Sequence, residues 1–181
     1  MRRDGAANRE RILVAAEHVF AAGGAAASTE EVARRAQVGV ATVFRHFPTK
    51  QDLIEATAER YLEKMESEAR RLTDETDPGR AFASLMHTLV STGPTKVTLL
   101  NLLLTDGDGL TEPVTTAVHT IREVVRQVLG HAQAAGAARP DATADEVFML
   151  ARALAHVAKP DDGEAVDRAL GIVLDGLDVH R

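Results

Sequence analysis

The residues best suited to chemistry lie in one stretch, Ser28 to Lys50, reading STEEVARRAQVGVATVFRHFPTK. Its cationic and hydroxyl side chains are groups that bind phosphate oxygens and base edges. Arg45 can hold guanine O6 and N7 through two parallel N–H bonds or clamp a phosphate. Thr42 can bond a phosphate or a base, and Ala41 can pack on a thymine methyl. Catalysis finds no comparable set. The seven His residues include no His-x-x-x-His and no Glu-x-x-His pair, so a metal site in a helix bundle is unsupported. Asp106-Gly107-Asp108-Gly109 resembles the start of a calcium loop, but its twelfth position is Ala117 rather than Glu. With no Cys in the chain, thiolate metal sites and disulfides are excluded. No glycine-rich phosphate cradle and no nucleophile elbow is present. We expect neither catalytic residues nor a bound metal or cofactor.

A net charge of −6 argues against a nucleic-acid partner until its distribution is examined. Residues 1–50 carry a net +3 and residues 51–181 a net −9. A basic head on an acidic body presents positive charge to phosphate at one end only. No apolar uncharged stretch is long enough to span a membrane, and residues 1–10 are polar. A cytoplasmic protein that does not engage a membrane is expected.

The elements that position these residues all read as helices. Aromatics are 3% of the chain and Trp is absent, so Ala, Leu and Val must fill a core of close-packed helices rather than sheets. Asn8 to Ala22 carries Ile12, Leu13, Ala16, Val19 and Phe20 on one stripe and stops at Gly23-Gly24. Ser28 opens a short helix with a capping box ending at Glu31. A turn at Gln37-Val38-Gly39 leads to a second short helix that ends before Pro48. Val38, Val43 and Phe47 fall at core-facing spacings, leaving Ala41, Thr42, Arg45 and His46 outside. Thr49, with Asp52 three residues on, caps a long helix.

Further helices are expected from Asp77-Pro78 to Thr92, over Thr95–Leu104, from Thr111 or Glu112 to about Ala135, from about 144 to 158 and from 163 to 177. The class is therefore all-α, with about nine helices. A three-helix helix-turn-helix head over residues 1–50 precedes a larger α-helical body over residues 51–181. The last two helices are apolar over too wide an arc for one-sided burial. A second copy, or other helices of the same chain, must cover the remaining side.

Two short helices joined by a tight turn usually serve to place the second in a major groove. Over residues 8–54 the pattern of amphipathic helix, STEEVARRA and VATVFRHFPTK with Leu53 resembles the TetR family of transcriptional regulators. The resemblance implies a homodimer, joined through the last two helices, on a double-stranded, pseudo-palindromic operator. Thr29 would then touch phosphate, and Val40, Ala41, Thr42, Phe44, Arg45 and His46 would form the DNA-facing surface. Lys50 would bind phosphate at a helix N-terminus. Arg2 and Arg3 would form an arm reaching an adjacent groove.

Two positions depart from the family pattern. Gln37 stands where glycine is common, so either it or Gly39 must take a left-handed conformation. Phe44 stands where Tyr is common, which leaves an apolar contact without a hydroxyl.

Family resemblance also implies repression relieved by a small effector in the body. The expected cavity is mainly apolar and lined by Met86, Leu89, Leu100, Leu103, Val118 and Phe148, with His119 or Arg122 as polar groups.

Overall fold

Helix α1, Arg2–Gly23, starts well before the expected Asn8. The arm expected at Arg2 and Arg3 is therefore the first turn of a helix. Ile12, Leu13, Ala16, Val19 and Phe20 are all buried on it, at the spacings of one helical face. The computed structural model describes residues 2–91, 95, 98, 99, 102, 111–157 and 163–178. The expected helix at Thr95–Leu104 and the loop at Asp106–Gly109 lie largely or wholly outside these.

Among the described residues the chain forms eight α-helices and no strand. A 3-10 turn, Gly24–Ala26, links α1 to α2, Thr29–Ala36, and α3, Val40–His46, follows. Then come α4, Lys50–Leu72, α5, Pro78–Ser91, α6, Glu112–Ala134, α7, Ala144–Val157, and α8, Gly163–Leu177.

Local caps account for most of these boundaries. The Ser28 hydroxyl accepts from the Glu31 amide at 3.2 Å and starts α2. At α4 the exchange is reciprocal: the Thr49 amide donates to Asp52 Oδ2 at 2.9 Å, and the Asp52 amide donates to Thr49 Oγ1 at 3.0 Å. Asp77 Oδ1 accepts from the Arg80 amide at 3.0 Å, with Pro78 as the first residue of α5. Thr143 and Glu146 form the box that opens α7.

The described residues divide into two compact units. One holds those up to Glu63 and those from Thr95 to Thr116; the other holds those from Lys64 to Pro94 and from Ala117 onward. The division falls inside α4, whereas residue 50, the boundary expected from the sequence, is the start of that helix.

In the first unit α1 packs on α2 and α3, and α2 on α3. In the second, α5 packs on α7 and α8, which also pack on each other. Phe82, Leu85, Met86, Leu89 and Val90 of α5 and Val147, Ala151 and Ala155 of α7 are buried there. The C-terminal end of α8 is held by the segment before α7. The Arg139 amide donates to the Leu177 carbonyl at 2.8 Å, and its guanidinium pairs with Asp141 at 2.6 Å.

Although α8 is mostly apolar, only Leu170 and Leu177 are buried within the chain. Ile172 is 73% exposed, and Met149 and Leu150 of α7 are 67% and 37% exposed. Such a run of uncovered apolar side chains on adjoining helices marks an interaction surface.

Candidate nucleic-acid interface

The first unit grips α3 by little more than one edge. Val43 is fully buried, and Phe47, just past the helix end, is 3% exposed. Ala41, Phe44 and Arg45 are exposed, and Val40, Thr42 and His46 are half-buried. Of the expected inward residues only Val38 is incompletely covered. Burying a single helical residue leaves the rest of the α3 surface available to a groove about 12 Å wide. Phe44 is 42% exposed, an uncovered ring between Val43 and Arg45.

The turn before α3 resolves the alternative left open above. Gln37 takes φ 56° and ψ 45°, whereas Gly39 is extended at φ −70° and ψ 146°. Its amide donates to the Arg34 carbonyl at 3.2 Å, and the Val38 amide donates to the Ala33 carbonyl at 3.0 Å. This is the double bond pattern that closes a helix on a left-handed residue, with glutamine in the usual glycine position.

Thr29 is the first residue of α2 and only 7% exposed, so its covered side chain leaves mainly the helix end to face a phosphate. Lys50, the first residue of α4, donates from Nζ to the Ala25 carbonyl at 3.0 Å. An ammonium has three donors, so this bond leaves two for a phosphate.

Several residues that support the interface were not found by sequence reasoning. The Arg9 guanidinium lies 5.2 Å from the Phe47 ring centroid, stacking α1 against the end of α3. Arg60 of α4 bonds Glu10 at 2.7 Å and Glu17 at 2.8 Å, tying α4 to α1. The bond to Glu10 is the largest reason that the Arg60 guanidinium is held above its ordinary range. On the neighbouring α4 surface, burial raises the Glu59 carboxyl, with Glu55 and Glu63 adding to the effect and Arg9 opposing it. Each of these partnerships joins residues more than 35 apart, except the i±4 glutamates, and helical spacing alone signals none of the distant ones.

The expected effector residues are dispersed. Met86 and Leu89 are buried on α5 and Phe148 on α7, while Val118 is half-buried on α6. Leu100 and Leu103 lie outside the described residues. His119 and Arg122 do not fit the expectation that they face an enclosed apolar cavity, because both are exposed. Val114, Ile121, Val125 and Val128 take the inward face of α6, which turns positions 119 and 122 outward. Arg122 sits 5.6 Å from the Phe148 ring centroid and 3.7 Å from Asp145. Among the described residues no group of three His, Asp or Glu is placed to hold a metal ion, and no helix is long and apolar enough to cross a membrane.

A capped helix, a tight turn and a second helix with an uncovered polar and aromatic surface define a helix-turn-helix protein. Comparison with known proteins makes the class specific. Residues 12–57 match the family described as bacterial regulatory proteins, tetR family. Residues 77–179 match the C-terminal domain of SbtR-like transcriptional regulators. Among solved structures, a TetR transcription regulatory protein from Mycobacterium vanbaalenii is 32% identical. That match covers 98% of this chain and 99% of the other, with a TM-score of 0.78. A TetR transcriptional regulator from Streptomyces coelicolor is 28% identical, with 96% and 99% covered and a TM-score of 0.79. No curated protein matches by sequence. The chain belongs to the TetR family of transcriptional regulators.

At 16% identity, the AibR structure in complex with isovaleryl coenzyme A and operator DNA shares the fold, with a TM-score of 0.70 over 95% of this chain and 98% of that one.

Proposed function

We propose that this protein is a homodimeric repressor that binds a pseudo-palindromic operator with one α3 per half-site and is released by a small, mainly apolar effector. The observation that carries the reading is the surface of α3. Ala41, Phe44 and Arg45 stand uncovered together, with Thr42 and His46 partly so, on a helix anchored by one buried residue and flanked by Lys50.

Arg45 reads a guanine or clamps a phosphate, Phe44 and Ala41 make apolar contacts, and Thr29 and Lys50 fix the backbone register. The acidic remainder of the chain keeps phosphate contact to this end. Dimerisation through α7 and α8 is supported by Met149, Leu150 and Ile172, which a second copy would cover. The two-fold symmetry of such a dimer accounts for a palindromic target.

The effector acts only if its affinity differs between the state whose two heads fit adjacent half-sites and the state whose heads do not. A site formed by Met86, Leu89, Val118 and Phe148 would be lined by apolar side chains. The AibR complex, which holds isovaleryl coenzyme A and operator DNA, supports the reading that a protein of this fold can bind both a ligand and DNA.

Gel-shift titration against the chain's own promoter region, repeated across a salt series, tests the reading. Selective binding that weakens steeply with salt is expected. Binding equal for all fragments, or none at all, overturns it.

A further inference from the structure

We infer that Arg11 is a positioning residue for operator binding, setting the angle of α3 through the turn at Gln37 without touching DNA; the inference rests on the operator-binding reading above. Gln37 is the one residue other than glycine with positive φ among the described residues. A side chain in this conformation brings its Cβ against the following carbonyl, which glycine avoids. The paired bonds to the Ala33 and Arg34 carbonyls close the turn on one side. They leave the carbonyls of Ala36 and Gln37 beyond the last helical bond of α2.

The guanidinium of Arg11, reaching across from α1, takes both. Its Nη2 donates to Ala36 O at 2.5 Å and to Gln37 O at 3.0 Å, and its Nη1 lies 3.4 Å from Asn8 Oδ1. A charged donor at a helix C-terminus also interacts favourably with the helix dipole. The two carbonyls flank the Gln37 residue itself, so the fork restrains the left-handed peptide on both sides. Two residues further on, the Gly39 carbonyl accepts from the Thr42 and Val43 amides and begins α3. Any rotation at Gln37 is therefore passed directly to α3, with Val43 as its sole buried anchor.

The surroundings of the clamp separate this role from core packing. Arg11 is exposed and crosses a cleft of about 380 Å³ that Glu10, Val14, Ala15, His18, Arg35 and Gln37 also line. Its removal deletes hydrogen bonds without opening a void in the core.

The test uses the full-length protein and a DNA fragment selected by the wild type from a random library. Failure of the wild type to enrich any sequence defeats the operator reading itself, independently of Arg11. Given an enriched fragment, Arg11→Ala is expected to weaken binding about tenfold, with the slope of log affinity against log salt unchanged. Gln37→Gly alone should change affinity less than twofold. In the Arg11→Ala background it should restore most of the loss, because glycine holds the turn without the clamp. Arg11→Met keeps the aliphatic stem and should reproduce the loss if Arg11→Ala proves poorly folded by circular dichroism. A salt slope that falls by about one would mark Arg11 as a phosphate ligand and overturn the inference. Unchanged affinity in both Arg11 variants, or a loss that Gln37→Gly does not restore, also overturns it.

Discussion

Ile172 offers a sharp test of how two copies associate, because it is a large aliphatic side chain 73% exposed on α8. Fully burying such a side chain is worth about 2 kcal/mol, so covering its exposed part contributes about 1.5 kcal/mol per copy. A two-fold interface uses each residue twice, which brings the effect of losing it to about 3 kcal/mol per dimer. At about 1.4 kcal/mol per tenfold, replacing it with a side chain that gains nothing from burial weakens dimerisation about a hundredfold. Ile172→Asp also places two carboxylates in the interface, so a hundredfold is the lower bound. In the isolated chain the change is a surface substitution, and such changes normally alter stability by less than about 0.5 kcal/mol. Analytical ultracentrifugation across a concentration series measures the dissociation constant, and circular dichroism checks that helix content is retained. Dimer affinity within threefold of the wild type, with the fold intact, would show that this face of α8 is not the interface.

Replacing Arg45 with Ala should weaken binding to the selected fragment by about 1–3 kcal/mol if the guanidinium reads a base; a competition assay with altered half-sites reads the accompanying loss of selectivity. Thr143→Ala removes the box that opens α7 and should lower the melting temperature by roughly 2–4 °C at pH 7. Bonds from the Thr143 amide and hydroxyl hold the Glu146 carboxyl below its ordinary value of 4.5, a stabilisation present above that value and lost as pH falls. The Thr143→Ala deficit should therefore shrink in melts recorded below about pH 4. Glu59 has the opposite sign. Its carboxyl is raised from 4.5, first by burial and then by Glu55 and Glu63, so the folded state loses stability as pH rises through that range. Glu59→Gln should melt higher than the wild type at pH 7 and match it near pH 4, and equal melting temperatures at both pH values would refute the assignment.

The helices and their caps were legible in the residue order because the interactions that make them are local. Ser28 to Glu31, Thr49 to Asp52 and Thr143 to Glu146 each act within one turn, and the stripe from Ile12 to Phe20 repeats at the helical period. The outward set on α3 followed from the same period once Val43 and Phe47 were placed inside. Local order also announced the wide apolar arc of the last two helices, which the exposure of Met149 and Ile172 makes concrete.

Tertiary structure decided everything that needed two distant segments to meet. Gln37 rather than Gly39 takes the left-handed conformation, and its carbonyl is met by Arg11, which lies 26 residues away. The stacking of Arg9 on Phe47 and the bridges from Arg60 to Glu10 and Glu17 are partnerships of long, flexible charged side chains. Their reach lets them meet many alternatives, so sequence spacing cannot select among them. His119 and Arg122 illustrate the same limit in the body. Both are polar residues beside apolar ones in the sequence, and on α6 both are exposed to solvent. The sequence by itself determined that this chain makes helices, where the capped ones begin and which short helix carries the outward-facing set. Only the packed structure determined what holds that helix at its angle, because a turn is local while the groups that hold it are not.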